Sequence, residues 1–154
     1  MRERSRHTIL MIGDDRDDRY ITEQLFAELG YDIGLWFCHS GNDAMHLLEV
    51  CRETELPSLV ILDRNLPGMD SLEVLRRIKE SSRLSHIPVV VVCGTAFPAE
   101  VAACYRAGAN SYIQKPESNK ATTERIAAFL NYWFTTVDLP GRMARQQPLF
   151  DAIN

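Results

Sequence analysis

Leu59-Val60-Ile61-Leu62-Asp63-Arg64-Asn65-Leu66-Pro67-Gly68-Met69-Asp70-Ser71 is the stretch that decides the fold. Four consecutive apolar residues with no polar alternation describe a strand covered on both faces, as in a parallel sheet, and an acid follows directly at its end. Outward from it, apolar runs of strand length recur at Ile9 to Ile12, Leu35 to Cys38, Val89 to Cys93 and Ser111 to Gln114. Segments of helical spacing separate them: Ile21, Leu25 and Leu29; Ala44, Leu47 and Leu48; Leu72, Leu75 and Ile78. A last helix is predicted from Ser118 or Asn119 to about Val137, where Leu139-Pro140-Gly141 stops it. Regular alternation of strand and helix predicts an open, doubly wound α/β sheet of five parallel strands, with its ligand site at the carboxyl ends of the strands.

At 154 residues, 45% hydrophobic and 25% charged, the chain suits one domain with a tail. The expected boundaries are an extension over 1–7, a domain over 8–138 and a tail over 139–154. A net charge of −4 argues against nucleic acid as the main partner. The Arg2 to Arg6 cluster reads as a solvated terminus. No apolar run approaches the ~20 residues that cross a bilayer, and Met1 to His7 lacks the apolar core of a signal peptide, so the expectation is a cytoplasmic protein with no membrane contact. Cys38, Cys51, Cys93 and Cys104 lack metal-site spacing and read as buried small hydrophobes.

The predicted strand ends carry the chemistry. Gly13-Asp14-Asp15 follows the first strand, Asp63 the third, Cys93-Gly94-Thr95 the fourth, and Lys115-Pro116 the fifth. Singly, each has a plain structural reading as a turn, cap or exposed residue. Together, two carboxylates and a backbone carbonyl can offer oxygen ligands to Mg²⁺, and the Lys115 ammonium can pair with a phosphoryl oxygen. Asp63 is then the candidate nucleophile.

The motifs ILDRNLPGMDS around Asp63, IPVVVV before Cys93 and GANSYIQKP around Lys115 resemble the response-regulator receiver domains, over about Thr8 to Val137. The resemblance implies a flavodoxin-like sheet flanked by five helices, and phosphorylation of Asp63 by a histidine kinase. Asp14 is implied as metal ligand, the backbone carbonyl of Asn65 as completing the metal site, Lys115 as phosphoryl contact, and Tyr112 as the aromatic residue whose rotamer reports the phosphorylated state. The Glu49 to Ser58 connection and the helix ending Tyr132-Trp133-Phe134 are similar to small stand-alone regulators that accompany phytochrome-type kinases, which implies a red-light sensor as partner. No output module follows, so output is expected through contacts made by the receiver itself.

Two positions depart from the family pattern. Counted back from Arg19, the adjacent acidic pair falls on Gly13 and Asp14, so the first acid is missing; Asp15 lies one place late and is a further metal-ligand candidate. The alternative register, with Asp14 and Asp15 as the pair, needs an insertion in the first strand. Cys93 stands where the family uses Ser or Thr to bond a phosphoryl oxygen, and a thiol is a weak donor. Thr95 is a candidate stand-in, and a redox role for Cys93 is the less favoured reading. Two hypotheses follow: a phosphorylatable receiver with altered kinetics or coupling, or a pseudo-receiver that binds proteins without the chemistry. An aspartyl-phosphate enzyme is a third and remote reading, because Asp15-Arg16-Asp17 has the DxD spelling but falls at a helix start. Ile126, Phe129, Leu130, Trp133, Phe134 and Val137 give the last helix more apolar surface than one sheet face needs, so a homodimer through it is expected, with the tail as the competing cover.

Overall fold

Continuous apolar runs take the middle of the sheet. The computed structural model describes residues 7–140; the Arg2 to Arg6 cluster and the tail from Gly141 lie outside the described residues. Its strands are β1 (His7–Ile12), β2 (Ile33–Cys38), β3 (Leu59–Asp63), β4 (Val89–Cys93) and β5 (Ser111–Gln114). They form one parallel sheet in the order β2-β1-β3-β4-β5. The three unbroken runs, β1, β3 and β4, are the interior strands, because only a strand flanked and covered on all sides can bury every side chain.

Side chains alternate across the sheet and divide the core in two. Leu10, Ile12, Val60, Leu62, Val89 and Val91 face α2 (Gly41–Val50), α3 (Ser71–Glu80) and α4 (Pro98–Arg106). Ile9, Leu59 and Val90 face α1 (Arg16–Leu29) and α5 (Asn119–Asn131). Cys38, Cys93 and Cys104 are buried and Cys51 is half-buried; no disulfide joins any of the four. Because β1 has β2 on one side and β3 on the other, the chain reverses direction across β1, and a cleft opens at the strand ends between β1 and β3. Pairing of Ile12 with Leu62 sets Gly13 and Asp63 on opposite walls of it. Pairing of β1 with β2 runs unbroken from His7 with Ile33 to Ile12 with Cys38, so the strand carries no bulge before Gly13.

Three local differences from the expectations have physical causes. β1 takes in His7, and β2 begins two residues early at Ile33, because pairing with a neighbour extends a strand beyond its apolar run. In the connection before β3, α2 runs on to Val50 and a 3₁₀ turn occupies Glu53–Glu55, held from across the fold by the Arg83 guanidinium on the carbonyls of Leu48 and Cys51. The last helix does not continue as an α-helix to Val137. It changes at Asn131 into a π-helical turn over Tyr132–Thr136, closed by the Val137 N–H on the Tyr132 carbonyl at 3.0 Å. The wider turn re-aims Phe134 to ring contacts with His7 (5.7 Å) and Tyr31 (6.5 Å). Phe129, Trp133 and Phe134 pack against the Ile9, Phe26 and Leu130 cluster and are half-buried within the chain, so part of the surplus apolar surface expected of this helix is covered by the chain's own core. Tyr132 alone of this group is largely exposed. Among the described residues no helix is long and apolar enough to cross a membrane.

Candidate functional site

Asp63 sits at the last position of β3 with only 8% of its surface exposed, so its carboxylate oxygens need hydrogen-bond partners within the protein. It has two. The Asn65 backbone N–H donates to Oδ1 at 3.0 Å, and the Lys115 ammonium donates to Oδ2 at 3.1 Å. The loop that supplies the first is fixed from below: the Ser71 hydroxyl lies 2.6 Å from the Asp63 carbonyl and 2.8 Å from that of Arg64. The turn through Leu66-Pro67-Gly68 requires a residue at φ 75°, which Gly68 supplies without strain. Asp70 then caps α3 on the Leu72 N–H and also pairs with Arg64 at 3.1 Å.

Lys115 reaches the site because β5 ends beside β4, where its backbone N–H bonds the Cys93 carbonyl at 2.7 Å. Its ammonium is shared: Asp18 Oδ2 lies 2.7 Å away, closer than Asp63. Burial alone would lower the lysine pKa, but the hydrogen bonds and charges of Asp18 and Asp63 outweigh it and hold the pKa above its ordinary value. Sequence reasoning misses Asp18 as a site residue. It looks like an ordinary first-turn acid, of the kind favoured by the helix dipole, and nothing local to α1 signals a partner at the end of β5.

One cleft is lined by Gly13, Asp14, Asp15, Asp18, Asp63 and Lys115, with Arg19, Phe37 and His39 at its rim. Asp15 plays a structural part as the N-cap of α1, its Oδ1 accepting from the N–H groups of Asp17 (2.9 Å) and Asp18 (3.2 Å). The DxD spelling is therefore a helix start. At Gly13 a Cβ would stand 3.3 Å from the Asp63 Cβ and 3.5 Å from its Oδ2, so the glycine gives the Asp63 carboxylate room.

The remaining predicted residues form a second group, joined to the first through Asn65. Cys93 faces the α3 and α4 side of the sheet; its sulfur lies 3.7 Å from the Asn65 amide nitrogen and 3.5 Å from the Thr95 hydroxyl. Burial pushes the Cys93 thiol up, but hydrogen bonding from Thr95 and Tyr112 prevails and leaves it below its ordinary value. Tyr112 donates its hydroxyl to the Thr95 carbonyl at 2.8 Å, tying the aromatic ring to the loop after β4. Thr95 is thus the residue that touches both Cys93 and Tyr112.

As a metal site, the cleft offers hard oxygen donors. Among the described residues no group of three or more His, Cys, Asp or Glu side chains is arranged to hold an ion. The donors on hand are the carboxylates of Asp14 and Asp63 with backbone carbonyl oxygen, a set that fits a divalent cation which keeps several of its waters.

The family model described as "Response regulator receiver domain" matches residues 9–127. Response regulator Rcp1 of Synechocystis sp. is 32% identical over 135 residues, 86% of this chain and 92% of that protein. Among solved structures, the Mn²⁺-bound form of response regulator Rcp1 matches with a TM-score of 0.80 and 31% identity, covering 87% of this chain and 99% of that one. The phosphorylated cyanobacterial phytochrome response regulator RcpA matches with a TM-score of 0.80 and 26% identity, covering 88% and 99%.

Proposed function

Since this chain belongs to the response-regulator receiver-domain family, whose members are signalling proteins rather than enzymes, we propose that it accepts a phosphoryl group on Asp63 from a histidine kinase and signals through protein-protein contacts of the receiver itself. The observation that carries this reading is the buried Asp63 carboxylate, held by the Asn65 N–H on one oxygen and the Lys115 ammonium on the other. Lys79, the other partly buried lysine with two hydrogen-bond partners, donates only to backbone carbonyls, so Lys115 is the one with a carboxylate to serve.

In the proposed transfer a carboxylate oxygen of Asp63 attacks phosphorus in line. The P–O bond forms as the P–N bond to the kinase imidazole breaks, and the imidazole leaves with the electron pair. Asp63 loses its full negative charge in becoming an acyl phosphate, so its hold on Lys115 weakens and the ammonium can follow the charge to a phosphoryl oxygen. Receiver domains bind a divalent cation, which when bound neutralises charge on the phosphoryl oxygens; we propose Mg²⁺, held by Asp14, Asp63 and the Asn65 carbonyl. Asp15, engaged as a helix cap, is the weaker candidate for that set. Cys93 and Tyr112 form the proposed route out of the site, through Thr95.

The test is intact mass after incubation with Mg²⁺ and a small acyl-phosphate donor. A gain of one phosphoryl group that needs the metal supports the switch. No gain in folded protein, with several donors and ample Mg²⁺, supports the pseudo-receiver that Gly13 and Cys93 keep in play. Cys93→Ser replaces a weak donor with a hydroxyl and is expected to change the lifetime of the phosphoryl group about 3- to 10-fold, the scale of one hydrogen bond, read as mass decay after donor removal. An unchanged lifetime would remove Cys93 from the proposed route.

A phytochrome-type kinase is the proposed partner, supported by the likeness to Rcp1 and to the phytochrome response regulator RcpA, and the exchange is proposed to occur in the cytoplasm. A receiver domain over 8–138, with short segments on either side, is part of the same proposal. So is a homodimer through the last helix, which now rests on exposed Tyr132 beside half-buried Phe129 and Trp133. Trp133→Glu is expected to shift sedimentation to monomer mass, and unchanged mass in a folded variant would sink the dimer.

A further inference from the structure

The position where this family's first acid would stand is Gly13, yet Lys115 is not short of a second carboxylate. Asp18 approaches it to 2.7 Å from the first turn of α1, nearer than Asp63 at 3.1 Å. Asp18 is partly covered, unlike its exposed neighbour Asp17, and lines the same cleft as Asp14 and Asp63. Its backbone is fixed, because its N–H is bonded to the Asp15 cap and its carbonyl accepts the Thr22 hydroxyl at 2.7 Å. A carboxylate mounted on a capped helix, with its neighbour turned to solvent, is an oriented group rather than one member of a solvated acidic run.

We propose that Asp18 is a working member of the site: a positioning residue that aims the Lys115 ammonium at the phosphoryl-accepting oxygen, supplied from α1 because position 13 is glycine. This rests on the reading of Asp63 as phosphoacceptor. Lysine carries a flexible four-carbon stem, and a point charge on such a stem is useful only where something holds it. Asp63 cannot do that throughout the reaction, because its carboxylate is consumed in forming the acyl phosphate. Asp18 takes no part in the bond changes and so keeps the ammonium within reach of the group being transferred at every stage. Glycine at 13 is compatible with the arrangement: a side chain there would begin 3.5 Å from the same Asp63 Oδ2 that Lys115 contacts, so a carboxylate at 13 would occupy the ground that Asp18 serves from the helix.

The experiment is the initial rate of Mg²⁺-dependent phosphorylation of the full chain by a small acyl phosphate, read by intact mass. Asp18→Asn is expected to slow the wild-type rate about tenfold, the scale of one charge-assisted hydrogen bond, whereas Asp17→Asn, which removes the same charge from the same helix turn, leaves it unchanged. In a Lys115→Ala background Asp18→Asn is expected to change nothing further, a non-additivity that a merely structural role for Asp18 would not produce. Gly13→Asp combined with Asp18→Asn keeps the net charge and returns a carboxylate beside Asp63, so it is expected to regain most of the lost rate. It also keeps the proposal testable if Asp18→Asn alone folds poorly. Equal rates for Asp18→Asn and wild type, or fully additive losses with Lys115→Ala, overturn this inference and leave the phosphoacceptor reading intact. No phosphorylation of the wild type under any donor overturns both.

Discussion

Asp63→Ala is expected to abolish the gain of phosphoryl mass completely while the protein stays folded. Among the described residues of the cleft, it is the acid that is both buried at a strand end and held at each oxygen by a separate donor, the Asn65 N–H and the Lys115 ammonium. Those contacts fix the direction in which its lone pairs point, and a neighbouring acid without that orientation does not replace it. Asp14 and Asp15 are exposed, and Asp15 is occupied in capping α1, so neither inherits the role. The fold should survive because Lys115 retains Asp18 when Asp63 is gone, so no buried ammonium is left unpaired. Circular dichroism and intact mass on the same sample check both halves. Undiminished phosphoryl gain in Asp63→Ala would move the acceptor elsewhere and dismantle the reading of the cleft.

Lys115→Ala is expected to slow phosphorylation about 100-fold, the usual cost of removing one charged donor aimed at developing oxyanion charge. The loss should exceed that of Asp18→Asn, because the ammonium touches the reacting group and Asp18 acts only through it. Without the lysine, Asp18 and Asp63 lose the cation they share, so Mg²⁺ should compete more effectively for the cleft and be needed for any residual activity. In the wild type the lysine is held charged by its two carboxylates, with its pKa above the ordinary lysine value. The Lys115 contribution is therefore expected to be constant across neutral pH and to fade only as pH rises through that elevated value. A rate for Lys115→Ala within twofold of wild type, in folded protein, would show that the ammonium is a structural counter-charge and nothing more.

Much of this was legible in the residues themselves. Val, Ile and Leu runs without polar interruption are best satisfied inside a sheet covered on both faces, so β1, β3 and β4 were readable as strands from hydropathy alone. The placement of Asp14, Asp63 and Lys115 followed from the same logic, since each lies at or just past the end of a strand and parallel strands bring their carboxyl ends to one edge. Gly13 and Cys93 could be recognised as departures because the strands before them fix their positions. Periodicity determines faces and ends.

What periodicity does not determine is which side chains meet across separate elements. Asp18 and Lys115 are 97 residues apart, one on a helix and one at a strand end, and their 2.7 Å contact exists only because α1 packs beside α5 and brings its first turn to the carboxyl end of β5. Asp15 carries the same carboxyl group as Asp14, and only the actual start of α1 turned it into a cap. The aromatic end of the last helix read as surplus apolar surface until a π-helical turn, one residue wider than an α-turn, swung Phe134 onto His7 and Tyr31. Local hydropathy sets the elements of this protein and the edge on which its acids gather. The packing of one element on another, which depends on helix angle and turn width rather than on any local pattern, decided which acid holds the lysine and how much of the last helix remained uncovered.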